Sequence, residues 1–199
     1  MTTDGRLARS EKQQEAIKKA LMKLVRAGNY APSAVEVANE TGITVRTVFR
    51  HFANREKFYA SISEHIRKEA LAMVGTYIRS DDLHGRLEEA IEARMKIFEQ
   101  ILPFAQFQFV NRHQSSFLRE THKNDLQENR VLMTMAYAGL IEFSGPRFDA
   151  LELALSIANW RTLRFDFGKS PDEAKDLVLE IAMSLYPDNV TAVAPSPAP

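Results

Sequence analysis

The chain has 199 residues, 45% of them apolar, with 26 basic and 26 acidic side chains and no cysteine. That excludes disulfides, thiolate catalysis and Cys-ligated zinc, and no apolar run approaches the ~18–20 residues needed to cross a bilayer. The zero net charge hides an asymmetry: residues 1–60 hold 11 Lys/Arg against 6 Asp/Glu, a net +5, and the rest of the chain carries −5. A basic head on an acidic body suits a polyanion at one end only. The opening MTTDGRLARSEK has no apolar stretch behind its charges, so it does not read as a secretory signal, and a cytoplasmic protein is expected.

Helical periodicity runs through nearly every segment and predicts an all-α fold. Ser10-Glu11-Lys12-Gln13 has the form of a capping box, which places the first helix start at Ser10. Ala16, Ile17, Ala20, Leu21, Leu24 and Val25 then form one apolar stripe, and Gly28 is placed to end it. Ser33-Ala34-Val35-Glu36 is a second capping box, opening a short helix that Thr41-Gly42 stops. Thr44 is placed to cap a third helix from Val45 to about Phe52, and Asn54 a long fourth one running through Phe58, Ile62, Ile66, Ala70 and Met73 towards Tyr77. Beyond Ser80-Asp81-Asp82, helices are expected at about 83–101, 104–113, 115–138, 149–167 and 171–186. Pro103 and Gly145-Pro146 punctuate them, and Ser170-Pro171-Asp172-Glu173 is a third capping box. The Pro- and Ala-rich tail 187–199 has no periodic face and is expected to be disordered.

Two short helices, a Gly turn and apolar locking residues make a helix-turn-helix. Val37 and Ala38 face inward from the first helix, Ile43 plugs the turn, and Val48 with Phe52 anchors the second. Val45, Arg46, Thr47, Phe49, Arg50 and His51 are left to divide between a DNA groove and its flanking phosphates. Base edges meet the N-terminal part of a recognition helix, which makes Val45, Arg46 and Thr47 the expected base readers. With Ser33, Thr44 and Arg55 at neighbouring helix starts, these residues form the predicted DNA-contacting set.

The stretch from Ser33 to Phe58 resembles the DNA-binding domain of the TetR family, whose pattern runs roughly T-x-x-x-I-A-x-x-A-G-V-S-x-G-T-L-Y-x-H-F-x-S-K-E-x-L. Ser33, Val37, Ala38, Gly42, Ile43, Thr44, Thr47, Val48, Phe49, His51, Phe52, Asn54, Arg55, Glu56 and Phe58 match or conservatively replace it. The resemblance covers about residues 10–60. Three positions depart from it: Phe49 replaces the usual Tyr and lacks a hydroxyl for phosphate, Arg46 replaces a small residue, and Arg55 replaces Lys. An Arg at 46 can bind a guanine bidentately or a phosphate. In the family position His51 contacts phosphate; a packed or solvated His explains the residue as well.

After residue 60 the resemblance survives mainly as architecture. The segment 149–167 is apolar almost all round, and the last helix adds Leu179, Met183 and Tyr186 beside its main stripe. A helix with two apolar faces is either central to a core or covered by a partner. Leu153, Ile157, Trp160, Leu177, Ile181 and Leu185 are therefore the predicted homodimer interface, and the resemblance implies the same arrangement. Met95, Phe98, Phe104, Phe107, Phe117, Met133 and Tyr137 are the predicted lining of an apolar effector cavity, with Arg112, His113, His122 or Arg130 as polar anchors. A solvated helix face explains those four equally well.

No catalytic, metal or cofactor motif is present, so none of these is expected. The expected organisation is a helix-turn-helix domain over 1–56, a helical effector-binding and dimerisation domain over 57–186, and the tail. The function expected is that of a dimeric regulator binding a double-stranded, near-palindromic operator and released by a small apolar or aromatic effector. Repression is the mode the resemblance implies. A helical enzyme or carrier, or a helical protein-interaction module, would lack salt-dependent DNA affinity.

Overall fold

Helical spacing of the apolar residues is met by helices throughout: a computed structural model describes residues 4–52, 55–73, 80–138 and 140–187, with the side chains of 4–7, 52 and 55 left aside, and contains no strand among them. The described helices are α1 (Asp4–Arg26), α2 (Ala34–Thr41), α3 (Val45–Phe52), α4 (Arg55–Met73), α5 (Leu83–Asn111), α6 (Ser116–Ala136), α7 (Gly145–Ala154), α8 (Ile157–Arg161) and α9 (Pro171–Leu185). Asn54, Tyr77 and the tail beyond Pro187 lie outside the described residues.

Several boundaries differ from expectation. Helix α1 is already formed at Asp4, because Leu7, Ala8 and Arg9 propagate it and no proline intervenes; Ser10 lies inside it and caps nothing. Its end is as expected: Gly28 takes φ +93°, and Asn29 N–H donates to the Leu24 carbonyl at 3.0 Å. Pro103 does not interrupt α5. A proline removes one backbone donor, and buried Leu102 and Phe104 hold the helix on both sides of it. Gly145-Pro146 begins α7 rather than preceding it, with Pro146 in the first turn, where no backbone donor is needed.

The expected helix over 149–167 is broken. Ser156 accepts the Asn159 N–H at 3.1 Å and donates to the Leu153 carbonyl at 2.8 Å, starting α8 afresh; one π-helical turn, Thr162–Asp166, follows it. The break lets Leu151, Leu155 and Trp160, none more than 1% exposed, reach the same core. Trp160 thus finds its burial within one chain, while Leu153 stays exposed.

The chain divides into two compact units, residues 1–71 with 103–122 and residues 72–102 with 123–199. The first does not end at residue 56, because Phe58, Tyr59 and Ile62 of α4 are buried with Ile17, Leu21 and Val25 of α1 and with Phe104, Phe107 and Leu118. The rings of Tyr59 and Phe107 meet edge to face at 5.5 Å. In the second unit, Leu87, Ile91 and Met95 of α5 pack with Phe148, Trp160, Ala174, Val178 and Ala182. Glu99 accepts from Trp160 Nε1 at 2.8 Å and Arg164 Nε at 2.7 Å, tying α5 to α8 and the turn after it.

Candidate nucleic-acid interface

The α2–α3 hairpin is built by capping and by the turn. Both the N–H and the hydroxyl of Ser33 donate to the Glu36 carboxylate, at 2.8 and 2.7 Å, and Glu36 N–H donates back to Ser33 Oγ at 3.2 Å. These bonds hold the Glu36 carboxyl below its ordinary range, the Ser33 backbone N–H contributing most. Ser33 is exposed, but its donors are engaged at the head of α2. At the far end Gly42 adopts φ +68° and donates its N–H to the Ala38 carbonyl at 2.9 Å. Thr41 Oγ1 donates to the Val37 carbonyl at 2.8 Å and accepts from Ile43 N–H at 3.2 Å, so one hydroxyl clamps both sides of the turn.

Thr44 starts α3. Its hydroxyl donates to Thr47 Oγ1 at 3.1 Å and accepts from Thr47 N–H at 3.4 Å. Val37 and Val48, both 0% exposed, lock the two helices together, with Ile43 packed against the same core. Val45, an expected base reader, is half-buried against that core, and Thr47 is also half-buried. The most open positions of α3 are Arg46, Phe49 and Arg50, spaced i, i+3, i+4 and therefore on one face, with Phe49 59% exposed. Neither arginine has an ion pair or hydrogen bond to another described residue.

Three cations of α1 contrast with these. Lys18 meets Glu15 at 2.7 Å, Lys23 meets Glu40 at 2.5 Å and Arg26 meets Glu69 at 2.8 Å. They line an open groove of about 400 Å³ together with Lys19, Met22 and His65. His51 is half-buried, and its Nε2 is enclosed without a hydrogen-bond partner. Burial, and secondarily Arg50, pull its pKa below the ordinary value, which favours the neutral ring. The Arg55 and Phe52 side chains lie outside the described part.

The expected effector-lining set separates. Met95, Phe98, Met133 and Tyr137 are buried in the second unit, whereas Phe104 and Phe107 are buried in the first, with Phe117 packed against them. They form parts of two cores rather than one wall. Of the expected polar anchors, Arg130 is exposed and paired with Asp149 and Glu152, Arg112 lies over the Phe109 ring at 4.8 Å, and His113 is exposed; His122 is half-buried in the first unit. Sequence reading passed over Arg94 and Asn129. A cation at 94, within the apolar spacing of Ile91, Met95 and Phe98, was the signal available for the first.

Among the expected interface residues, Trp160 is a correction. At 1% exposure, with its Nε1 bonded to Glu99, it belongs to its own core and offers nothing to a second chain. Leu153 is 68% and Ile181 36% exposed, while Ile157, Leu177 and Leu185 are half-buried against the core. No family model, no curated protein and no solved structure matches the chain. No described helix is long and apolar enough to cross a membrane.

Proposed function

We propose that this chain is a cytoplasmic, homodimeric, sequence-specific DNA-binding regulator, a repressor rather than an enzyme, released from its operator by a small molecule. The observation that carries the reading is the outer face of α3, where Arg46, Phe49 and Arg50 stand exposed with both cations unpaired among the described residues. A capped hairpin with a glycine turn supports that face, and a bare cationic helix face is what counterion release on duplex DNA requires. Arg46, nearer the N-terminus of α3, is the base reader. Arg50 positions the helix on phosphate, and Phe49 supplies an apolar contact of the kind that meets a thymine methyl. Leu153 and Ile181 expose apolar surface suited to a two-fold partner.

The test is selection from a genomic DNA library by the full chain at two salt concentrations, with sequencing of the retained fragments. A regulator retains one near-palindromic site, with affinity falling steeply as salt rises. Retention without sequence preference, or no retention at low salt, overturns the reading. An effector must weaken operator binding by the same factor as operator weakens effector binding. A hundredfold release corresponds to about 2.7 kcal/mol of coupling, within the usual allosteric range.

A further inference from the structure

One cation of the second unit is placed where cations are costly. Arg94 lies on the core-facing side of α5, at i+3 from Ile91 and i−4 from Phe98, which are 1% and 8% exposed. The residue as a whole is half-buried, but its guanidinium end sits among buried groups. Its Cζ lies 5.9 Å from the Phe98 ring centroid, and Nη1 donates to the Leu155 carbonyl at 3.2 Å and to Asn129 Oδ1. No carboxylate pairs with Arg94 among the described residues. The nearby acids are committed elsewhere: Glu99 to Trp160 and Arg164, Glu152 to Arg130. Beside it, Tyr137 is 0% exposed and its hydroxyl has no hydrogen-bond partner. Burial pushes the Tyr137 phenol up to about 12, with the Arg94 charge opposing the rise, so the two groups feel each other's field. Burial likewise pulls the Arg94 pKa down.

An uncompensated cation and an orphaned hydroxyl in one apolar setting both weaken the fold. A single ligand chemistry satisfies both. We propose that Arg94 and Tyr137, with Asn129 orienting the guanidinium, anchor a monoanionic organic carboxylate whose apolar or aromatic body inserts among Met95, Phe98 and Met133. The carboxylate accepts from the guanidinium and from the phenol. A doubly charged phosphate suits the site less, because one cation faces it in otherwise apolar surroundings. Methionine walls re-pack at small cost, which allows the core to admit the body. The proposal deepens the regulator reading by naming the class of effector, and rests on that reading only for the coupling to DNA.

The test uses the full chain without DNA. Benzoate, phenylacetate, 4-phenylbutyrate and decanoate are compared with benzamide, benzyl alcohol and inorganic phosphate by thermal shift and calorimetry. At least one carboxylate should raise the melting temperature, with the neutral analogues and phosphate inert. Arg94→Met should raise the ligand-free melting temperature and weaken carboxylate binding about 10–100-fold. Tyr137→Phe, which removes only the orphaned hydroxyl, should leave the ligand-free protein as stable or more so, and weaken the carboxylate about 3–10-fold. Carboxylates that do not bind, equal response to the neutral analogues, or a Tyr137→Phe protein destabilised without ligand would each overturn the proposal. Operator selection with no carboxylate binding sinks this inference alone; carboxylate binding with no operator selection sinks the regulator reading alone.

Discussion

The two units hold unpaired cations of contrasting kinds. In the first, Lys18, Lys23 and Arg26 of α1 are matched by carboxylates, and Arg46 and Arg50 of α3 stand unmatched on the outside. In the second, Arg130, Arg161, Arg164 and Lys175 are matched, and Arg94 is unmatched with its charged end among buried groups. The physical consequences differ. A solvated cation costs the fold almost nothing while it waits for a partner. A desolvated one weakens the fold continuously until an anion arrives. Removing the first kind should therefore alter binding without altering stability, and removing the second should alter both.

The largest effect on the outward set comes from halving it. If two copies of α3 act on one operator, each α3 raises the effective concentration of the other, and separating the subunits should cost about 10²–10⁴-fold in operator affinity. Replacing Leu153 and Ile181, both exposed, with Glu places charge on the outer sides of α7 and α9 and should yield monomers. Sedimentation velocity reads the first outcome, and titration of the selected site reads the second. An unchanged dimer would move the interface off α7 and α9.

Next come the arginines themselves. Arg46→Ala should change which bases are preferred, at about 1–3 kcal/mol of discrimination for a bidentate pair with a base. Arg50→Ala should weaken all sequences alike and flatten the slope of log affinity against log salt by about 1. Both proteins should melt within about 0.5 kcal/mol of the parent, as surface changes do. If Arg46→Ala lowers affinity but leaves the selected site unaltered, Arg46 holds phosphate and base reading lies elsewhere on α3. If either variant is markedly destabilised, the contrast with Arg94 collapses.

Legibility in the sequence followed the locality of the forces. Capping boxes at Ser33 and Ser170, and the stops at Gly28 and Gly42, involve residues within a few positions of one another, and each is present as expected. Inward placement of Val37, Ala38 and Val48 follows from helical period alone. Pro103 misled, because a local rule about a missing donor was outweighed by burial of Leu102 and Phe104 in tertiary packing. Reading 149–167 as one helix with two apolar faces misassigned Trp160, since Ser156 breaks the helix and turns Trp160 to the core of Leu151 and Leu155, while Leu153 stays exposed. The aromatic and Met set from 95 to 137 read as one cavity lining by composition; yet Met95, Phe98, Met133 and Tyr137 serve one core and Phe104 and Phe107 another. Arg94 escaped notice because its significance lies in what surrounds it, Leu155 and Tyr137, which no local pattern supplies.

The smallest effect concerns an anion matched by neutral donors. Glu56, near the start of α4, accepts from Ser115 Oγ at 2.8 Å and from Phe117 N–H at 2.9 Å, joining that helix to the head of α6 within the first unit. These bonds, Ser115 first and then Phe117, hold its carboxyl below the ordinary value. A carboxyl whose folded pKa is depressed favours the fold in its charged form. The stabilisation is present above the unfolded pKa and is lost as pH falls through the depressed folded value. Glu56→Gln keeps an acceptor oxygen but loses the charge, so it should melt slightly below the parent at neutral pH. The gap should narrow as pH falls through the depressed folded value and close below it, where the parent carboxyl is protonated too. Melting curves of both proteins from neutral to acid pH measure this directly. A gap of constant size would mean that Glu56 acts through shape and not charge, and would leave the exposed cations of α3 as the first unit's main electrostatic feature.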